Sequence, residues 1–195
     1  RCTSSAASDV YKRQNLDPKE NILNKKKIRN ILKKISESNL DDLSHNIKNA
    51  YHENAEIYAF HPVNELKGVD EIINYLWKPL IYSFPDLERR DNLIIGGSFQ
   101  NRVYVSTVGH LTGTFAHPWL GVPSNGKTIH LRICEVHQIE NEKIINSHIL
   151  IDIMDFIRQA GFWPVNPSLG IEEMWPGPIT GDGTTFENLD SNLSA

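Results

Sequence analysis

Two hydrophobic periods divide this chain. From Pro18 to Phe84 the apolar residues recur every three or four positions, and from Leu87 to Asp152 they alternate with polar ones. The first half therefore predicts helices and the second half strands. Residues 18–37 form the first predicted helix: Pro18 suits a first turn, and Ile22, Leu23, Ile28, Ile31, Leu32 and Ile35 follow a 3.6-residue period. Ser38-Asn39 breaks the pattern, and Asp41 or Asp42 is the expected cap of a second helix running to about Glu53, with Leu43, Ile47 and Tyr51 spaced four apart. A short strand is expected over Ala55 to Phe60. His61-Pro62 and Lys67-Gly68 bracket a loop. Val69 to Phe84 reads as a third helix, with Ile72, Ile73, Leu76, Leu80 and Phe84 on one side and a kink or break at Pro79.

Four strand-like runs follow: Leu87–Ile95, Arg102–Thr114, Thr128–Ile139 and Lys143–Asp152. Gly96-Gly97 with Gln100-Asn101, then Pro118 to Gly126, then Glu140-Asn141-Glu142 punctuate them. Met154 to Ala160 reads as a short terminal helix closed by Gly161. Helices first and antiparallel strands afterwards make an α+β pattern. A curved sheet wrapped by about three N-terminal helices gives a cone, whose interior is a pocket unless large side chains fill it. The expected organisation is residues 15–40 as an N-terminal helix, 41–165 as the cone domain, and 166–195 as a Pro/Gly/Trp-rich tail. From Gly181 the tail's composition reads as disordered. Trp163 and Trp175 are costly to leave in water. A homodimer through the convex sheet face, with the Trp163–Trp175 segment at the contact, is therefore expected.

The first residues change the boundaries. Back-translated, residues 4–14 (SSAASDVYKRQ) resemble a transposon adapter used to prepare sequencing libraries. Residues 1–14 are accordingly set aside as non-native. A metagenomic source and a missing N-terminus are the expectation, with a tandem second domain and a signal peptide left open. Without that segment, which carries Arg1, Lys12 and Arg13 against Asp9, 17 basic and 23 acidic side chains remain. That net acidity argues against a nucleic-acid partner. The basic cluster from Lys25 to Lys34 reads as a solvated helix face. No apolar run approaches the roughly 20 residues of a bilayer span, so no membrane partner and a cytoplasmic location are expected. Cys2 and Cys134 are too few for a disulfide framework or a cysteine zinc site.

Candidate chemistry sits on the strands. Asp152 ends the run SHILID, where period two puts His148, Leu150 and Asp152 on one face. A carboxylate among apolar residues is held nearer to neutral and can exchange protons with an acidic C–H. The alternative is a cap for the following helix. His148 is the expected partner of Asp152, with His110 and His137 next. Tyr58, Trp77, Phe115 and Trp119 are candidates for an apolar mouth, with ordinary core as the alternative. None of the eight histidines forms an H-x-x-x-H pair, so no metal is expected. No phosphate loop or nucleophile elbow appears, and no cofactor is expected.

Residues 41–161 resemble the SnoaL-like polyketide cyclase family of the nuclear transport factor 2-like superfamily. The stretches that carry the likeness are YHENAEIY (51–58), KGVDEI (67–72), SFPDL (83–87), GHLTGTFAHPWLGVPSNGK (109–127), QIENEKI (138–144) and DIMDFIRQAG (152–161). The resemblance implies the cone fold and an acidic side chain that moves protons during an aldol-type ring closure or isomerisation of a small apolar carbonyl or polyketide-like compound. It maps the family's acidic position onto Asp152. The chain departs from the pattern in carrying His148 where a Trp commonly stands. A cofactor-free epoxide hydrolase of the same fold is one alternative; there Arg132 would sit between two Asp, but Cys134 follows it two residues on, with Glu135 nearby. A non-catalytic ligand-binding or dimerisation module is the other.

Overall fold

The computed structural model describes residues 17–163 together with 166, 169, 182–184 and 186. The expectations for residues 1–14, for Trp175 and for most of the tail lie outside these. Helix α1 (Pro18–Ser36) starts where Pro18 predicts, capped by Asp17, whose carboxylate accepts the Lys19 N–H. Helix α2 (Leu40–Ala50) is capped by Asn39, which accepts the Asp42 N–H at 2.8 Å, and not by Asp41 or Asp42. Those two acids lie in the first turn, where the helix dipole favours them. The chain leaves α2 three residues earlier than its apolar spacing predicts, because Tyr51 already pairs with Ile144 in the sheet.

Strand β1 (Tyr51–Ala59) is followed by β2 (Glu65–Lys67), which is too short for its period to show in sequence. The third helix does not break at Pro79. Helix α3 (Gly68–Glu71) continues through a π-helical turn (Ile72–Trp77) into α4 (Lys78–Ser83). The Lys78 N–H reaches back five residues to the Ile73 carbonyl, so the helix widens just before the proline that cannot donate.

Strands β3 (Glu88–Phe99), β4 (Arg102–Thr114), β5 (Thr128–Glu140) and β6 (Lys143–Ile151) form an antiparallel meander, and α5 (Ile153–Gln159) closes it. The sheet order is β2-β1-β6-β5-β4-β3, and β1 runs parallel to β6. This is the expected α+β cone, with that one parallel pair added. Gly96-Gly97 does not end β3 as the sequence suggested. The strand passes through because α1 lies against it: a Cβ on Gly96 would stand 2.2 Å from Asn21 Oδ1, and Asn21 donates to the Gly96 carbonyl.

One face of the sheet packs against the helices and the other looks outward. On β5 the inward residues are Ile129, Leu131, Ile133, Glu135 and His137, all buried. At one end of the interior Phe84, Phe115, Trp119 and Phe156 stack edge and face, with ring centroids 4.9–6.3 Å apart. Such pairs each add about 0.5–1.5 kcal/mol beyond burial. Among the described residues no helix is long and apolar enough to cross a membrane.

Candidate functional site

The other end of the interior is polar. β5 brings Glu135 and His137 inward in phase with its isoleucines and leucine. Thr107 lies opposite Glu135 on β4, and Ser147 opposite His137 on β6. β3 delivers Arg89 and Asp91. A bulge between Asp91 and Leu93 then shifts the strand's phase, so that Ile94 is the next buried side chain. That bulge needs Gly109 across the ladder, where a Cβ would stand 2.2 Å from the Arg90 carbonyl. Tyr51 enters from the start of β1, and Trp77 from the end of the π turn.

Arg89 organises the cluster. Its side chain is 1% exposed and donates to Asp91 (2.8 Å), to Thr107 Oγ1 (2.8 Å) and, closely, to Glu135 Oε2. Thr107 also donates to Glu135 at 2.9 Å. Glu135 is completely buried. Burial pushes its pKa up, but the Arg89 guanidinium and the neighbouring His137 outweigh that and hold it below the usual carboxylate range. His137 shares a 2.8 Å hydrogen bond with Ser147 Oγ through Nδ1, and its Nε2 faces Glu135 across 3.8 Å. The Tyr51 hydroxyl lies beside Glu135, Ser147, Arg89 and Trp77. Its pKa is raised, first by burial and then by the Glu135 charge, so it stays protonated. Glu135 is thus a buried carboxylate held by a guanidinium, with the His137–Ser147 pair beside it. A separate cleft of about 160 Å³ lies between α1 and α2, lined by Ile31, Lys34, Ile35, Asn46, Asn49 and Ala50.

Asp152 and His148 lie elsewhere. Both are on the outward face, and they do not meet. Asp152 accepts the Asp155 N–H at 2.9 Å, capping α5, and pairs with Arg132 at 2.8 Å. His148 is exposed and stacks on Tyr58, 5.1 Å between centroids, while Tyr58 donates to Glu56. Arg132 stands between Asp152 and Asp155, at 2.8 and 3.7 Å. Arg132 and Asp152 border an open, largely apolar groove of about 480 Å³ that Val108, Cys134, Leu150 and Met154 also line. His110 is on the same face, bonded to Asn92 at 3.2 Å, and burial lowers its pKa. Phe115 and Trp119 belong to the aromatic end of the interior and form no mouth, because the loop carrying them folds under Ser83. Of the nine residues singled out from sequence, only Trp77 and His137 reach the buried polar cluster. Arg89, Tyr51, Thr107 and Ser147 were not anticipated, and Glu135 entered only in passing. The available signal was a charge at a core phase: Glu135 continues the alternation of Ile129, Leu131 and Ile133.

A family model described as SnoaL-like polyketide cyclase matches residues 29–160. Several solved structures are similar to this chain. A SnoaL-like protein of Jannaschia sp. CCS1 is 18% identical, with 71% of this chain and 93% of that one covered and a TM-score of 0.56. IdmH of Streptomyces antibioticus, provisionally assigned as a polyketide cyclase, is 15% identical, covering 71% and 98% at a TM-score of 0.57. AclR of Streptomyces galilaeus, provisionally assigned as a hydroxylase, is 21% identical, covering 71% and 98% at a TM-score of 0.54. At these identities the likeness is one of fold. No curated protein matches the chain.

Proposed function

The chain belongs to the SnoaL-like polyketide cyclase family, and from that premise we propose that it is an enzyme of proton transfer, with Glu135 as its general base. The substrate is a small, mostly apolar carbonyl compound, and the reaction an aldol-type cyclisation or an isomerisation that needs no cofactor. One observation carries this reading: Glu135 Oε1 is buried and without a partner while Oε2 is held by Arg89 and Thr107. A charged oxygen left unpaired in a dry interior is costly to stability and is the form a base needs. His137, tied to Ser147, orients beside Glu135 and takes part in returning the proton.

A probe reaction tests this without the natural substrate. Deuterium exchange at the α-carbon of benzoylacetone, followed by NMR, should be accelerated by the protein. Glu135→Gln should lose roughly 100-fold or more of that acceleration while its circular dichroism stays unchanged. Exchange undiminished in the variant would remove Glu135 from the role.

A second reading has its own observation. Arg132 between Asp152 and Asp155 beside the apolar groove supports the acid/base role that the sequence assigns to Asp152. It ranks below the first because the groove is open to water and Asp152 also serves as a helix cap. The same outward face, with Tyr58 and Leu150 exposed, supports the homodimer contact, which light scattering at high micromolar concentration checks.

A further inference from the structure

The C-terminal part of the chain returns to α1. Residues Asp182–Thr184 form a single 3₁₀ turn against β3, the edge strand of the sheet. A Cβ on Gly183 would stand 2.4 Å from the Asn92 carbonyl oxygen and 2.9 Å from Leu93 Cδ1, so a larger residue does not seat there. Asn92 lies within the β3 bulge. Phe186, three residues on, is half-buried against the core. Three cations of α1 face its ring: Lys25 Nζ at 5.8 Å, Lys26 Nζ at 5.6 Å and the Arg29 guanidinium at 5.7 Å from the centroid.

Sequence reads the basic cluster from Lys25 to Lys34 as a solvated helix face, and the structure covers part of it. Charge accounts for the cover. Among the described residues Lys27 pairs with Glu142 and Lys33 with Glu37, whereas Lys25 and Lys26 have no acidic partner. Residues 182–195 contain three acids, Asp182, Glu187 and Asp190, and no Lys or Arg. The face of an aromatic ring attracts a cation within about 6 Å, and here one ring has three. The edge strand adds a reason for the seat, since an open edge invites pairing with another chain and a covering segment prevents it.

We propose that the basic face of α1 is a docking surface for an acidic segment that carries a phenylalanine, and that the chain's own residues 182–195 are its resident occupant, held reversibly as a strap across the β3 edge. The assignment does not depend on which residue is the base. Arg29 joins the strap to the interior: its guanidinium faces Phe186 and stands 3.6 Å from Asp91, which accepts from Arg89. The part of the attraction that runs between surface charges weakens with salt. The ring and the glycine seat supply the part that does not.

A fluorescein-labelled synthetic peptide of residues 182–195, added to the full-length chain, is the probe. Gly183→Val with Phe186→Ala should unseat the resident segment and leave α1 intact. Fluorescence anisotropy should show the peptide binding this variant roughly 10-fold or more tighter than the wild type, whose face is filled. Its affinity should fall as sodium chloride rises. A peptide carrying Phe186→Ala should bind roughly 10-fold weaker. Adding Lys25→Glu and Lys26→Glu to the unseated variant should abolish binding. Equal binding to wild type and variant, indifference to the phenylalanine or to the charge reversal, or no binding at all would each overturn the docking surface. A second test spares the strap itself. In the otherwise wild-type chain, Lys25→Glu with Lys26→Glu should let chymotrypsin cut after Phe186 roughly 10-fold faster, because cleavage follows the population of the open form. An unchanged rate would overturn the proposal even where the unseated variant fails to fold.

Discussion

Arg89–Glu135 and Arg132–Asp152 are arginine–carboxylate pairs on the same sheet, and their surroundings give them opposite characters. Arg89 and Glu135 face the interior with side chains 1% and 0% exposed, whereas Arg132 and Asp152 face outward at 28% and 36%. The outer carboxylate is occupied, since it caps α5 and grips a guanidinium in partial contact with water. The inner one keeps an unpartnered oxygen among other unpartnered polar atoms. The same functional groups thus cap a helix in partial contact with water on one face and keep an unpaired oxygen in a dry interior on the other. Sequence ranks them in reverse, because the end of a strand before a helix is a conspicuous place for an acid and the middle of a strand is not.

The contrast can be broken by removing each guanidinium in turn. Arg89→Met leaves Glu135 buried without its cation and should cost about 3–5 kcal/mol in urea denaturation. Arg132→Met should cost less than about 1 kcal/mol, because its pair is partly solvated. Equal losses would erase the distinction. The β3 bulge that follows Asp91 can be tested as well. Gly109→Ala pushes a methyl against the Arg90 carbonyl and should cost about 1–3 kcal/mol, and a neutral result would mean that the bulge does not need the glycine.

Acid sharpens the comparison further. The folded-state pKa of Glu135 lies below its usual value. Its contribution to stability is therefore complete above that usual value, near 4.5, and is lost as pH falls toward the folded one, since the unfolded chain binds the proton first. The stability of the wild type should fall in that window, and Glu135→Gln should flatten the curve there. Asp86, held low by Thr114, adds to the wild-type slope. The smallest effect belongs to His110, which faces Asn92, His130, Arg132 and Asp155. Burial lowers its pKa from 6.5, so stability should decline slightly as pH drops below that value. His110→Asn should remove this step in pH-dependent melting.

Much of the fold was legible. Periodicity separated helices from strands, Pro18 marked a helix start, and the alternation in β4, β5 and β6 gave their bounds within a residue. Period two also told which strand residues share a face. It could not say which face is inside, and His148, Leu150 and Asp152 share the outward one, where Leu150 and Asp152 line the open groove. The parallel pairing of β1 with β6 and the bulge opposite Gly109 depend on contacts between distant segments. The partnership of Arg89 with Glu135, 46 residues apart, does too. The one local clue was Glu135 itself, a charge among isoleucines at a core phase.

An inner carboxylate acting as the base and an outer one serving the fold make opposite demands on two variants. Deuterium exchange into benzoylacetone, measured side by side for Glu135→Gln and Asp152→Asn, tests them most directly. Asn caps a helix about as well as Asp, so Asp152→Asn should keep both its melting temperature and its exchange rate. Glu135→Gln should fold and lose roughly 100-fold or more of the acceleration. The reverse pattern, exchange lost in Asp152→Asn and kept in Glu135→Gln, would contradict the assignment of Glu135 as the base and move the chemistry to the outer groove.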